Sequence, residues 1–327
     1  MSLPSFRLLR PQALAEATAM LATHGDQVKV IAGGTDLLPS MKQKLFTLPY
    51  VLDLRGVGEL RGIEATDDGG LSIGALTTLA AVERSQVIRR DYPVLFVAAK
   101  TVASPVLRNM GTVGGNVCLD TRCLWYNQSL LWRKSCGFCL KKDGDLCHVA
   151  PGGSKCWAAF SGDTPPALLC LGAEVEIAGV EGLRRVPLAE FYVNDGIARL
   201  RLAPNEIVTR VILPASSRGW RGSYQKLRVR GSIDYPLAGV AVALKMRHDV
   251  VVDARMAITA VNPAPHVVKD AAPFLIGKKV DELLAESVGE MAARTAKPLT
   301  TSALTPEYRR EMVKVFAKRA LLEAAAN

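Results

Sequence analysis

Six of the seven cysteines, Cys118, Cys123, Cys136, Cys139, Cys147 and Cys156, fall in one short stretch, and only Cys170 lies outside it. Between Cys123 and Cys156 aliphatic periodicity gives way to lysines, glycines and aromatics. Such a segment has too little apolar surface to fold around a core of its own and needs a staple. The beginning of the chain, MSLPSFRLLRPQAL, has basic residues but lacks the apolar stretch and small-residue cleavage site of a secretory signal. The most apolar runs, such as residues 237–246, are about half the length of a membrane span. A cytoplasmic protein without a membrane partner is therefore expected, and in that compartment clustered cysteines hold metal more readily than disulfides.

Spacing leaves the metal open. Cluster iron is held by thiolates, commonly four for a 4Fe-4S centre, whereas structural zinc prefers paired C-x2-C knuckles. Cys136-Gly137-Phe138-Cys139 is one such pair, and Cys147 and Cys156 follow without a second, so zinc and iron–sulfur stand nearly even. Cys170, in the apolar run 167–171, reads as a small buried hydrophobe. Cys118 is intermediate, and His148 reads as structural more readily than as a ligand.

The rest of the chain has an ordinary globular composition, 49% hydrophobic and 22% charged, and its 327 residues suit two or three domains. Arg10-Pro11 followed by Leu14, Ala17 and Leu21 predicts a helix closed by Gly25. Strands are expected at 28–31, 50–54, 71–76, 174–177 and 206–213, with a buried helix over 94–102. The turn-rich stretch after Pro214 marks a domain boundary. Beyond it, strands at 222–230, 238–245 and 250–261 precede helices over 279–296 and from Pro306 onward, an α+β pattern.

Two glycine-rich loops stand in this frame. The first ends the strand at 28–31 with Ala32-Gly33-Gly34-Thr35-Asp36, and the second is Gly111-Thr112-Val113-Gly114-Gly115-Asn116. Residues without a Cβ let backbone N–H groups turn towards an anion and approach it closely, and a dinucleotide pyrophosphate is such an anion. Thr35 adds a hydroxyl donor, while Asp36 suits the loop backbone or a sugar hydroxyl better than a phosphate that it would repel. Either loop alone reads as a tight turn; together they suit a long ligand held at separated points. Neither matches the G-x-G-x-x-G fingerprint or a P-loop, which argues against a nicotinamide-type Rossmann domain. The net charge of +10 is scattered and carries no aromatic-plus-basic motif, so a nucleic-acid partner is not expected.

Val30-Ile31-Ala32-Gly33-Gly34-Thr35-Asp36-Leu37 with Thr112-Val113-Gly114-Gly115-Asn116 resembles the FAD-binding medium subunit of the molybdenum hydroxylase (xanthine oxidase) family. Ile73-Gly74-Ala75 with Thr77-Thr78, the Gly162-Asp163-Thr164-Pro165 turn, and Tyr224-Gln225-Lys226 followed by Asp234-Tyr235-Pro236 fit in the same order, so the similarity covers nearly the whole chain. More narrowly, the run from Asp120 to Ser129 and that from Cys139 to His148 are similar to the beta subunits of the 4-hydroxybenzoyl-CoA reductases.

That resemblance implies an α+β fold: a two-lobed FAD-binding domain of the PCMH or CO dehydrogenase flavoprotein type over 1–215, with α/β lobes at about 1–56 and 57–215. It further implies an iron–sulfur insertion at 123–156 and a C-terminal CO dehydrogenase flavoprotein-like domain over 216–327. Matched positions put Val30 to Leu37, Gly111 to Asn116, Asp163, Ile207 and Lys226 near FAD, Asp163 accepting from ribityl hydroxyls and Lys226 near the flavin ring or the adenine end. The ligands of a 4Fe-4S cluster fall on Cys123, Cys139, Cys147 and Cys156, which leaves Cys136 out. The resemblance also implies partners: a large subunit with the molybdenum cofactor and a small one with two 2Fe-2S clusters, in a dimer of heterotrimers. In the reductase, electrons from a ferredoxin-like carrier enter at the 4Fe-4S cluster, pass FAD and the 2Fe-2S clusters, and reach molybdenum, where a phenolic hydroxyl of an aryl-CoA is removed. The alternative within the family is a hydroxylase that oxidises an aldehyde or N-heterocycle and passes electrons outward. Outside it stands a zinc-stabilised module with basic nucleic-acid contacts, which the glycine loops argue against.

Overall fold

The computed structural model describes residues 2–327. Three short runs, β1 (Arg7–Leu9), β2 (Val28–Ile31) and β3 (Tyr50–Asp53), form a parallel sheet in the order β1-β3-β2. Parallel strands need a crossover, and the helix Leu14–His24 supplies the one from β1 to β2, which flank β3. Its Ala17 and Leu21 pack with Val28 and Leu52 of the sheet, and Gly25 ends it in the left-handed region as expected. The strand β2 then runs straight into the first glycine turn, and the helix Leu37–Lys42 follows. This places the turn at the carboxyl end of a parallel strand, where open α/β sheets leave a crevice for ligands.

A second sheet is antiparallel throughout. It orders β4 (Ile63–Ala65), β5 (Leu71–Gly74), β6 (Glu174–Gly179), β7 (Gly182–Pro187) and β8 (Ile207–Leu213) as β4-β5-β8-β6-β7. The helices Pro93–Thr101 and Thr164–Cys170 belong to its core, which buries Leu95, Ala98, Leu168 and Cys170 with Ile73, Val175 and Val211. Cys170 is thus the small apolar filler expected of it. The edge strand β7 is exposed along almost its whole length, so it offers no alternation from which a sequence reading could detect it. Both the second glycine loop and the cysteine segment lie in the long connection from β5 to β6.

The third sheet is a meander of β9 (Arg221–Leu227), β10 (Ala238–Arg247), β11 (Val250–Thr259) and β12 (His266–Val267). Seven consecutive residues of β10 are buried because both faces are covered. Val240, Val242 and Leu244 point at the helices Glu282–Thr295 and Pro306–Ala326, while Ala241 and Ala243 join the core of the second sheet. The C-terminal unit is therefore packed against the middle one through a shared sheet. Among the described residues no helix is long and apolar enough to cross a membrane.

Candidate functional site

The two glycine loops touch. A Cβ on Gly33 would lie 1.8 Å from the carbonyl oxygen of Met110, so only glycine lets the first loop pass the residue that precedes Gly111. Gly34 has φ +72, in the region that favours glycine. A Cβ on Gly114 would come within 2.7 Å of that of Ala75, which seats the second loop on the end of β5. Thr112 accepts the Gly115 N–H at 3.1 Å, and Asn116 Oδ1 accepts from Thr164 N at 3.0 Å and Thr164 Oγ1 at 2.7 Å. Beside this junction opens a cleft of about 1340 Å³. It is larger than the ~300–1,000 Å³ of most small-molecule pockets, as a dinucleotide requires.

Val30 to Leu37, Gly111, Thr112, Gly114, Gly115, Asn116, Asp163 and Ile207 all line the cleft. Two residues assigned to it from the sequence do not. Val113 is buried in the core of the second sheet, because it opens the helix Val113–Val117 and that helix packs its first side chain inward. Lys226 Nζ is sequestered: it donates to Asp163 Oδ2 at 2.9 Å, Thr101 O at 3.0 Å and Asp234 O at 3.0 Å, which engages all three of its protons. Lys226 thus supports Asp163 from behind and does not face the cleft. The other Asp163 oxygen accepts from Tyr224 OH at 2.8 Å; burial pushes this carboxyl up, and Lys226 pulls against it.

The Asp36 side chain makes no bond to its own loop. Its Oδ1 accepts from Arg122 Nη1 at 3.1 Å and from Tyr235 OH at 3.0 Å, and the Arg122 guanidinium lies over the Tyr235 ring at 4.0 Å. Burial pushes the Asp36 carboxyl up, opposed by Arg122. One side chain from each of three distant segments closes this side of the cleft.

Cys123, Cys139, Cys147 and Cys156 are each buried and free, and all four line one small cavity next to the cleft, whereas Cys136 and Cys118 do not. Cys123, Cys139 and Cys156 are themselves the core of the segment, packed with Leu45 of the first unit, Tyr126 and Ala158. The cysteines thus supply much of the small apolar core that the segment has. Burial pushes the Cys123 thiol up to about 12, with the neighbouring cysteines adding to it, and the Cys156 thiol up to about 11, against the Ala158 N–H and Lys141. Both shifts favour the neutral thiol over the thiolate. Trp125 and His148 also line this cavity; the two rings stack at 4.3 Å, and His148 Nε2 bonds the Phe138 carbonyl. Trp157 carries Lys155 over its ring and lies outside the cavity. Among the described residues, no three His, Cys, Asp or Glu side chains converge on a point where a single ion would sit.

Between cleft and cavity stands a partition that the sequence did not disclose. Tyr126 and Lys141 line both spaces, and Asp120 lines the cleft. Asp120 accepts from Lys141 Nζ at 2.8 Å and Tyr126 OH at 3.0 Å, with Arg199 Nε at 3.6 Å. Although burial alone would push its carboxyl up, Lys141, Arg199 and Tyr126 hold it below the usual carboxylate range. Asp120, Tyr126 and Lys141 belong to runs already singled out in the sequence, but their meeting with one another and with Arg199 depends on where separate turns of chain come together.

Residues 4–216 match the FAD binding domain in molybdopterin dehydrogenase, and residues 222–324 match the CO dehydrogenase flavoprotein C-terminal domain. The chain is 31% identical over 325 residues to the carbon monoxide dehydrogenase medium chain of Afipia carboxidovorans, covering 99% of this chain and 98% of that one. It is 38% identical over 253 residues to the aldehyde oxidoreductase FAD-binding subunit PaoB of Escherichia coli, covering 74% and 78%. The crystal structure of the cyanide-inactivated Cu,Mo-CO dehydrogenase superposes with a TM-score of 0.83 at 28% identity, over 100% of this chain and 99% of that one. Two matched domains in the same order, and a glycine-lined cleft in the first of them, make this chain a member of the FAD-binding medium subunits of the molybdenum hydroxylase family, an oxidoreductase flavoprotein.

Proposed function

We propose that this chain carries FAD in the cleft and a 4Fe-4S cluster in the four-cysteine cavity, as the electron-transfer subunit of a molybdenum-containing complex. The observation that carries this reading is the convergence of Cys123, Cys139, Cys147 and Cys156 on one apolar cavity that shares a wall with the cleft. Each iron of a cluster takes its own thiolate, so its ligands line a cavity without meeting at one point; a zinc ion needs four ligands at about 2.0–2.3 Å from a single centre. A lining that brings four thiols to one cavity, in a segment that resembles the reductase subunits, supports the cluster reading. FAD fits the cleft through its two loops, whose Gly33, Gly34, Gly111, Gly114 and Gly115 line it without side chains and can bring backbone N–H groups to a pyrophosphate. Asp163, held by Tyr224 and Lys226, offers its carboxylate to ribityl hydroxyls, and Ile207 and Val30 supply apolar wall. When bound, FAD supplies a centre that takes one or two electrons.

The partners proposed are a large molybdenum-cofactor subunit and a small subunit with two 2Fe-2S clusters, assembled as a dimer of heterotrimers. For the substrate, an oxidising complex acting on an aldehyde or N-heterocycle has in its favour the 38% identity to an aldehyde oxidoreductase subunit. The reductive reading, with a ferredoxin-like donor and an aryl-CoA acceptor, rests on the resemblance of the cysteine segment alone and stands second. An ultraviolet–visible spectrum with iron and zinc analysis of the purified protein tests the first claim. Flavin absorbance and about four irons per chain are expected; protein without flavin overturns the reading, and zinc without iron removes the cluster. Turnover of aldehydes with an artificial acceptor, against turnover of aryl-CoA thioesters with reduced ferredoxin, separates the two directions.

A further inference from the structure

Among the described residues, Lys141 is the one Lys or Arg that lines both spaces. Its side chain is 7% exposed, and its ammonium donates to Asp120 Oδ1 at 2.8 Å, to Thr121 O at 3.0 Å and to the Thr121 hydroxyl. It also lies 4.4 Å from the centre of the Tyr126 ring. The Thr121 hydroxyl in turn donates to Gly196 O at 2.7 Å, and Gly196 N donates to Cys156 O at 2.9 Å, so the ammonium is locked into the framework that holds one of the four thiols. Lys29 and Arg199 line the same side of the cleft, which leaves Asp120 outnumbered by cations. A buried charge is screened little by solvent or salt, so a fixed ammonium here acts on whatever is bound on either side.

We propose that Lys141 is a positioning residue whose fixed positive charge raises the reduction potentials of the groups bound in the cleft and in the four-cysteine cavity together, with Asp120 as the opposing charge. This rests on the assignment of FAD and an iron–sulfur cluster to those two spaces. Reduction would add negative charge to a cluster, and to a flavin wherever electrons outnumber the protons taken up; a neighbouring cation then stabilises the reduced form and a neighbouring anion does the reverse. Because both charges sit in the shared partition, removing one shifts both potentials in the same sense. A residue that merely held the fold would shift neither in a charge-dependent way.

The test is an anaerobic redox titration of the purified holoprotein, read by electron paramagnetic resonance for the cluster and by visible absorbance for the flavin. Lys141→Met lowers both potentials, Asp120→Asn raises both, Lys141→Arg stays near wild type, and the double variant Lys141→Met/Asp120→Asn returns towards wild type. Opposite signs for the two single variants support the proposal. Potentials that do not move, or that move the same way in both, overturn it while leaving the cofactor assignment intact. If Lys141→Met does not load iron, the pair Asp120→Asn and Lys141→Arg decides: a raised potential in the first with an unchanged one in the second supports the charge effect, and any other result overturns it. A wild-type protein without iron or flavin overturns the underlying assignment and this inference with it.

Discussion

At the scale of single residues, the glycines of the two loops have different duties. Gly34 supplies a positive φ, whereas Gly33 supplies space: a Cβ there would lie 1.8 Å from the Met110 carbonyl oxygen, so its absence lets the two loops pack together. Gly33→Ala should therefore push the loops apart, lower bound flavin in the purified protein several-fold, and cost about 1–3 kcal/mol in a denaturation experiment. Gly58→Ala, where a Cβ meets nothing within 4 Å, should stay within about 0.5 kcal/mol of wild type and keep its flavin absorbance. That the loops are glycine-rich was legible in the sequence. That they contact each other was not, since seventy-odd intervening residues carry no local trace of the pairing. Asp36 makes the same point: its type suggested a sugar or backbone partner, and the fold turned it to Arg122 and Tyr235.

Among the elements, the cysteine segment is held from two sides. The helix Leu130–Ser135 keeps Leu131 exposed, yet its Arg133 is fully buried and donates to Lys44 O at 3.0 Å and Gln128 O at 3.3 Å, anchoring the segment on the first unit. From the other side the turn at Gly196 comes so close that a Cβ there would lie 2.6 Å from Cys156 Sγ. Gly196→Ala should displace that sulfur and lower the iron content per chain, with less effect on flavin; equal loss of both would point to general misfolding instead. Cys136→Ser should retain iron, because Cys136 does not line the cavity. Gly196 was invisible to sequence reasoning: it lies far down the chain in a turn whose composition is ordinary, and only its neighbour in space gives it a role.

For the whole molecule, the decisive joint lies between the middle and C-terminal units. Ala241 and Ala243 of β10 pack into the core of the second sheet, and the buried Lys226–Asp163 pair spans the same boundary. Breaking such a pair strands a charge in the interior, so Lys226→Met should cost about 3–5 kcal/mol, and the double variant Asp163→Asn/Lys226→Met should recover most of that loss. Equal stability of the single and double variants in urea unfolding would show that the pair does not couple the units. Sequence by itself determined the class of fold, most of the strands and helices of the core, the two glycine loops and the crowd of cysteines, because periodicity, turn chemistry and composition are local properties. The exposed strand β7 escaped it for want of alternation. Tertiary structure alone decided that Lys226 turns inward, that Val113 faces the core, and that Lys141 and Tyr126 divide the four-cysteine cavity from the cleft. Those facts depend on contacts between residues remote in the chain, and burial, not pattern, selects which of them meet.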